Sequence, residues 1–80
     1  MNLRKLYSYQ TKAGTFFIAQ TGDGRYHPVF DDESLGSYSS ARAAAGDLAG
    51  GHTFSVRGVE DTSVLGIPED IAGWSFFTSE

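Results

Sequence analysis

The chain has 80 residues, no cysteine and a formal net charge of −4 at pH 7. This length predicts a single domain over residues 1–80, and the missing cysteines exclude a disulfide framework and thiolate metal ligands. The acidic balance disfavours a general nucleic-acid binder, because phosphate contacts need clustered cations. Six Phe, four Tyr and one Trp stand beside twelve Leu, Ile and Val, which predicts a core built largely from aromatic rings.

The first half of the chain predicts three antiparallel strands. Residues 6–11 and 15–21 alternate strand-favouring side chains on either side of a Lys-Ala-Gly turn. The second of these strands is apolar on both faces, which predicts a central position, covered by a helix on one side and by the C-terminal segment or a partner on the other. Thr-Gly-Asp-Gly at residues 21–24 indicates a tight hairpin turn, from which residues 25–31 return. Pro28 lacks an N–H, so we expect an edge strand or a bulge there.

An acidic turn at residues 31–34 precedes the one helix that the sequence predicts clearly. Ser39 or Ser40 is the expected N-cap, because a serine hydroxyl accepts an N–H of the first helical turn. One face of the helix consists of four apolar residues at helical spacing: Ala41, Ala44, Ala45 and Leu48. Gly50 and Gly51 end the helix, and one of them should adopt the left-handed conformation. The helix is rich in alanine, so we expect it to lie close to the sheet.

The pattern loosens after the helix. Residues 53–57 predict a short strand and residues 58–66 a turn, while Pro68 begins a short helix or 3₁₀ turn. Residues 74–78 alternate again and predict a last strand. The resulting fold class is α+β, an antiparallel sheet of three to five strands packed against one short Ala-rich helix.

The aromatic residues are too numerous for one thin helix to cover. Either Leu65, Ile67, Ile71 and Trp74 fold back over the second face of the sheet, or an aromatic patch stays exposed and marks an interface. We expect Trp74 to be largely buried, packed against the sheet or the helix, with Phe76 or Phe77 beside it.

Two resemblances accompany these patterns. The segments "GRYHPVFDDESLGSY", "LAGGHTF" and "LGIPEDIAGW" resemble a group of small bacterial hypothetical proteins without an assigned activity, which implies a compact bacterial domain. Gly-Arg-aromatic, a turn and Leu-Gly-Ser-Tyr before an Ala-rich helix is similar to three-strand-plus-helix DNA-binding domains, such as the plant ethylene-response-factor type and the arm-binding domains of tyrosine recombinases. Those domains read the major groove from their sheet with Arg and Trp side chains. Here the corresponding strands offer Arg25 with Tyr7, Tyr9, Tyr26 and His27.

Neither a catalytic residue nor a metal or cofactor site is predicted. The acidic residues 31–33 do not have the spacing of a calcium-binding loop, and we interpret them as a solvated turn. His27 and His52 are the only histidines; they would need to converge with a carboxylate to hold a metal, and a structural role for His52 is favoured. The sequence contains no Gly-x-Ser-x-Gly nucleophile elbow. The protein is therefore expected not to be an enzyme.

The leading hypothesis is a small protein-binding or regulatory module that uses the aromatic side chains of its sheet. The candidate contacts are Tyr7, Tyr9, Phe17 and Tyr26. The alternative is nucleic-acid binding by the N-terminal hairpins, since residues 1–25 carry a net charge of +3 and the remainder −7. The cations involved would be Arg4, Lys5, Lys12 and Arg25.

The partner is expected to be a protein, and the chain a monomer or weak homodimer. No stretch has the length and apolarity of a signal peptide or a membrane span. We therefore expect a cytoplasmic protein with no membrane contact.

Overall fold

The computed structural model describes residues 4–53 and 62–76. Its strands are β1 (Arg4–Thr11), β2 (Gly14–Gln20), β3 (Tyr26–Phe30), β4 (Glu33–Ser34) and β5 (Ser75–Phe76), and its helix is α1 (Ala41–Gly50). Two 3₁₀ turns lie at Thr62–Leu65 and Ile71–Gly73. The strands form one sheet in the order β4-β3-β2-β1-β5, and every pairing is antiparallel. The predicted α+β class is confirmed.

The central position predicted for β2 is correct, and its two faces differ. Phe16 and Ile18 are fully buried on the side that carries α1. Because side chains alternate along a strand, Phe17 and Ala19 lie on the opposite side, which we call the second face. Ala19 and Val29 are both buried there, in neighbouring strands, since Phe17 pairs with Val29.

The strand that contains Pro28 is interior, between β2 and β4, but its outer pairing is irregular. Val29 pairs with Ser34, whereas Tyr26 bridges to Tyr38, so the outer chain has one residue more between these two pairs. The carbonyl of Pro28 accepts the N–H of Leu35 at 2.7 Å, and its own missing N–H faces the same irregular stretch. Of the two sequence predictions, the bulge is the one that the structure shows.

Helix α1 begins and ends as its sequence predicts. The hydroxyl of Ser40 accepts the N–H of Ala43 at 3.1 Å, which makes Ser40 rather than Ser39 the N-cap. At the other end Gly51 has φ 78°, the left-handed conformation that glycine adopts without a steric penalty. The N–H of His52 then reaches the carbonyl of Asp47 at 2.9 Å. Ala44, Ala45 and Leu48 are fully buried against the sheet.

The described part of the C-terminal segment packs on the same side as α1. Ile67 and Trp74 belong to the cluster that contains Phe16 and Ile18, with Leu65 and Ile71 packed against it. The indole N–H of Trp74 donates to the carbonyl of Pro68 at 3.1 Å, and its ring lies 5.8 Å from that of Tyr9. The burial predicted for Trp74 is confirmed. These residues extend the helix-side layer, however, and do not cover the second face.

Four further sequence predictions concern the chain after α1. The turn begins at Ile71 rather than Pro68, and Asp70 caps it by accepting the N–H of Ala72 at 3.0 Å. The last strand is seen at Ser75–Phe76, while residues 77–78 of that prediction lie outside the described residues. So do residues 54–57 of the strand predicted at 53–57, and Phe77 as a possible neighbour of Trp74.

Candidate functional site

The four aromatic residues predicted to bind a protein do not share one face of the sheet. Tyr7, Tyr9 and Tyr26 are partly buried and pack against the helix-side core. Phe17 lies on the second face, where the Nζ atom of Lys5 stands 4.5 Å from the centroid of its ring. The structure thus groups the three tyrosines with the core and separates them from Phe17.

The most exposed aromatic ring in the described part of the chain lies at the edge of the sheet. Phe76 is 70% exposed, and it sits on β5, which pairs with β1 through Tyr7–Phe76 and Ser8–Ser75. The rings of Phe76 and Tyr7 meet edge to face, with centroids 5.7 Å apart and an interplanar angle of 78°. We call Tyr7 and Phe76 the edge pair. The sequence did not predict the exposure of Phe76. Trp74 and Phe76 are two residues apart and so share the same alternation pattern, which does not indicate that Trp74 is buried and Phe76 is not.

The four cations of the nucleic-acid alternative are divided between the two ends of the N-terminal hairpins, with Lys12 at one end and Arg4, Lys5 and Arg25 toward the other. Arg4 pairs with Gln20 and lies at the end of the sheet near the β2–β3 turn. Lys12 follows the other end of β1, and the length of that strand separates the two residues by roughly 25 Å. Lys5 contacts Asp32, with 3.3 Å between Nζ and Oδ1. The guanidinium of Arg25 donates to the hydroxyl and the carbonyl of Ser37, at 2.9 and 3.0 Å.

The acidic turn that follows β3 has an unusual backbone. Asp31 and Asp32 have φ of 54° and 62°, a conformation that Asp tolerates better than most residues. An open hollow of about 450 Å³ lies beside this turn, and its lining includes Phe17, Phe30 and both aspartates. Among residues 4–53 and 62–76, no three His, Cys, Asp or Glu side chains come close enough together to hold a metal ion.

A polar network surrounds His27, which is 7% exposed on the second face. Its Nδ1 lies 2.8 Å from the carbonyl oxygen of Gly36 and 3.0 Å from the hydroxyl of Ser34. On the other side of the ring, Nε2 lies 3.3 Å from the hydroxyl of Thr21. The network therefore joins the β2–β3 turn to the loop that follows β4.

The Thr21 hydroxyl extends this network to a carboxylate, since it donates to Asp23. The N–H of Arg25 donates to the same carboxylate oxygen at 3.1 Å. These two hydrogen bonds, first that of Thr21 and then that of Arg25, hold the pKa of Asp23 below its usual 3.8, and the nearby His27 adds a smaller effect in the same direction. Asp23 is therefore ionised throughout the neutral range.

Ser34 lies next to His27, and a serine beside a histidine is a common nucleophile–base pair in enzymes. Whether His27 can act as the base depends on which of its ring nitrogens carries a proton. A carbonyl oxygen only accepts hydrogen bonds, so the 2.8 Å contact with Gly36 requires a proton on Nδ1. The Ser34 hydroxyl itself donates to the same carbonyl at 2.9 Å. The nitrogen nearest to Ser34 is thus a donor and is not placed to accept the serine proton.

The two histidines do not converge. His27 faces away from α1, whereas His52 is exposed just beyond the C-terminal end of that helix. The sequence did not predict the network around His27, because its members are brought together only by the β2–β3 and β3–β4 turns. A threonine and an aspartate flanking a hairpin turn, with a histidine on the returning strand, was the available signal.

Comparison of the chain with protein-family models, with curated proteins and with solved structures gives no match. The resemblances to small bacterial hypothetical proteins and to DNA-binding domains therefore stay predictions. In the described ranges no helix has the length and apolarity needed to cross a membrane.

Proposed function

We propose that this protein is a small, non-enzymatic binding or regulatory module that engages another protein through the edge pair. A single observation carries the proposal, namely that Phe76 is 70% exposed on the terminal strand of the sheet. A large exposed ring is costly in water and becomes favourable when a partner covers it.

The position of the edge pair favours an extended segment of the partner as the bound element. A terminal strand presents backbone N–H and C=O groups to any chain that can add a further strand. Beside that backbone, Phe76 and Tyr7 offer aromatic contact area, and the phenol of Tyr7 adds a hydrogen-bonding group. Tyrosine is enriched at protein interfaces for this combination of properties.

The other predicted contacts support this edge in different ways. Tyr9 packs on Trp74, two residues before Phe76, and so helps to hold β5 against β1. Tyr26 and Phe17 lie on strands farther from the edge, and we propose that they are secondary contacts. No cofactor is required by this function.

The non-enzymatic part of the proposal rests on the donor state of His27. Its Nδ1 is committed to the carbonyl of Gly36, so the ring does not activate the neighbouring hydroxyl of Ser34. The chain also lacks cysteine, which fits a protein that works in the reducing cytoplasm, the location that we propose.

The test uses two exposed apolar side chains of similar exposure. Phe76→Ser removes the ring from the edge pair, and Val64→Ser makes the same kind of change on the first 3₁₀ turn, where Val64 is 66% exposed. Each protein is immobilised and used to capture binding partners from an extract of its own cells. We expect a protein that the wild type and Val64→Ser retain and that Phe76→Ser loses.

Other outcomes would contradict the proposal. A partner that both variants retain would place binding elsewhere. Captured nucleic acid whose retention falls steeply with salt would favour the alternative function, with Arg4, Lys5, Lys12 and Arg25 as its contacts. Equilibrium sedimentation of the same three proteins measures self-association, for which we propose a monomer or a weak homodimer.

A further inference from the structure

The protonation of His27 is constrained by its neighbours at both ring nitrogens. The Gly36 carbonyl oxygen can only accept a hydrogen bond, so Nδ1 must carry a proton in every state of the ring. The Ser34 hydroxyl uses its own hydrogen to donate to the same carbonyl, and its oxygen therefore also faces Nδ1 as an acceptor. Only Nε2 is therefore free to gain or lose a proton. Neutral His27 must be the tautomer with its hydrogen on Nδ1.

The Thr21 hydroxyl, which faces Nε2 at 3.3 Å, has a single hydrogen. When Nε2 carries a proton, it donates to the Thr21 oxygen, and the threonine hydrogen goes to the carboxylate of Asp23. When Nε2 is unprotonated, two lone pairs would face each other unless the threonine hydrogen turns toward the ring. Asp23 then loses that hydrogen bond and keeps the one from the Arg25 N–H.

We propose that His27, Thr21 and Asp23 form a proton-controlled switch in which the charge state of His27 sets the direction of the Thr21 hydroxyl. Protonation of the ring tightens the β2–β3 turn through the bond from Thr21 to Asp23. Deprotonation turns the hydroxyl toward His27 and loosens that turn.

The other charged groups around His27 are engaged elsewhere. The guanidinium of Arg25, in the same turn, points to Ser37. On β1 the ammonium of Lys5 lies with Asp32, which belongs to the turn after β3. Three charged groups remain on these elements. Arg4 pairs with Gln20, the partner of Tyr26, and Glu33 pairs with Phe30, so both project to the helix side. Asp31 lies in the turn after β3. Within the described residues, Asp23 is the carboxylate that the hydrogen bonds connect to the ring.

The first experiment reads the tautomer. Long-range ¹H–¹⁵N spectra of the histidine rings are recorded from pH 5 to 9, with the exposed His52 as the internal reference. We expect neutral His27 to show a protonated Nδ1 and an unprotonated Nε2. A neutral ring with its hydrogen on Nε2 would overturn the proposal, because the Gly36 contact would then not be a hydrogen bond.

The second experiment tests whether protonation of His27 affects the β2–β3 turn through the Thr21 hydroxyl. In the wild type, the amide signal of Arg25 and the carboxyl carbon signal of Asp23 should move with the same midpoint as the ring of His27. Thr21→Val keeps the shape of the side chain without its hydroxyl and should abolish that inflection at both positions. Thr21→Ser keeps the hydroxyl and should retain it.

The proposal would be contradicted if the Arg25 amide and Asp23 carboxyl signals moved with pH as much in Thr21→Val as in the wild type. That result would show that His27 acts on the turn through space rather than through the hydroxyl. If Thr21→Val does not fold, Thr21→Ser and the wild type still decide the matter. An Arg25 amide that ignores the His27 midpoint in both of those proteins would also overturn the switch.

Discussion

The ammonium nitrogen of Lys5 lies 4.5 Å from the centroid of the Phe17 ring on the second face of the sheet. The same nitrogen is 3.3 Å from Asp32, so the lysine side chain reaches from β1 over β2 to the turn that follows β3. A cation over an aromatic face is attracted by the ring quadrupole, and the aliphatic stem of lysine covers apolar surface beneath it. A lysine side chain thus lies over part of a face for which the sequence predicted the C-terminal segment or a partner as the cover.

Replacement of Lys5 by Met should lower the free energy of unfolding by about 0.5–1 kcal/mol, the range of a partly exposed cation–π contact. Met keeps the apolar stem, so the loss reports the charge. Asp32 is 87% exposed, and Asp32→Asn should therefore change little, since exposed ion pairs contribute little. Urea unfolding followed by Trp74 fluorescence measures both. Lys12→Met, in the β1–β2 turn, is the control and should have no effect of this size.

Trp74→Ala should lower the free energy of unfolding by about 3–5 kcal/mol, because it removes a buried aromatic ring and leaves a cavity. Trp74→Phe keeps most of the packing against Tyr9 but loses the hydrogen bond to Pro68, and should cost clearly less. Far-ultraviolet circular dichroism during urea unfolding measures both variants. Equal losses for Ala and Phe would show that packing in the helix-side core is not what Trp74 contributes.

Ser40→Ala should cost about 1 kcal/mol, the typical effect of removing a serine N-cap, because the N–H of Ala43 loses its acceptor. The neighbouring Ser39 is exposed, and Ser39→Ala should change stability by less than about 0.5 kcal/mol, as is usual for surface positions. Thermal and urea unfolding of the two variants separate these expectations. A larger effect at Ser39 would move the start of the helix by one residue.

Features that depend on nearby residues were predictable from the sequence. The serine cap was predicted to within one residue, at Ser39 or Ser40, and so was the left-handed glycine, at Gly50 or Gly51. These ends and the alanine face of α1 depend on residues close together in the chain, where spacing and propensity decide the structure. The β2–β3 hairpin follows likewise from its turn residues, and two apolar faces were enough to place β2 at the centre of the sheet.

Features that depend on distant residues were not predictable. Lys5 and Asp32 are 27 residues apart, and neither has a sequence pattern that selects the other. The pairing of β5 with β1 brings Phe76 to Tyr7 across almost the whole chain, so its exposure follows from topology rather than from alternation. The network of His27 needs both the β2–β3 and the β3–β4 turn to assemble, and a lone histidine in a strand gives little sign of it.

The last prediction concerns Tyr38, whose phenol connects the sheet to α1. Its pKa is raised from 10.0 to about 12, first by burial and then by Asp47, which accepts its hydrogen bond and repels the phenolate. The unfolded chain therefore loses this proton at lower pH than the folded chain. The stability that Tyr38 contributes is complete below pH 10.0 and is lost as the pH rises toward 12.

Tyr38→Phe cannot ionise at this position, so the fall in stability between pH 10 and pH 12 should be smaller in the variant than in the wild type. Urea unfolding at intervals across that range measures the difference. Asp47→Asn keeps an acceptor but removes the charge, so it should move the pKa of Tyr38 part of the way back, which tyrosinate absorbance near 295 nm detects. An Asp47→Asn titration identical to that of the wild type would show that burial alone raises this pKa.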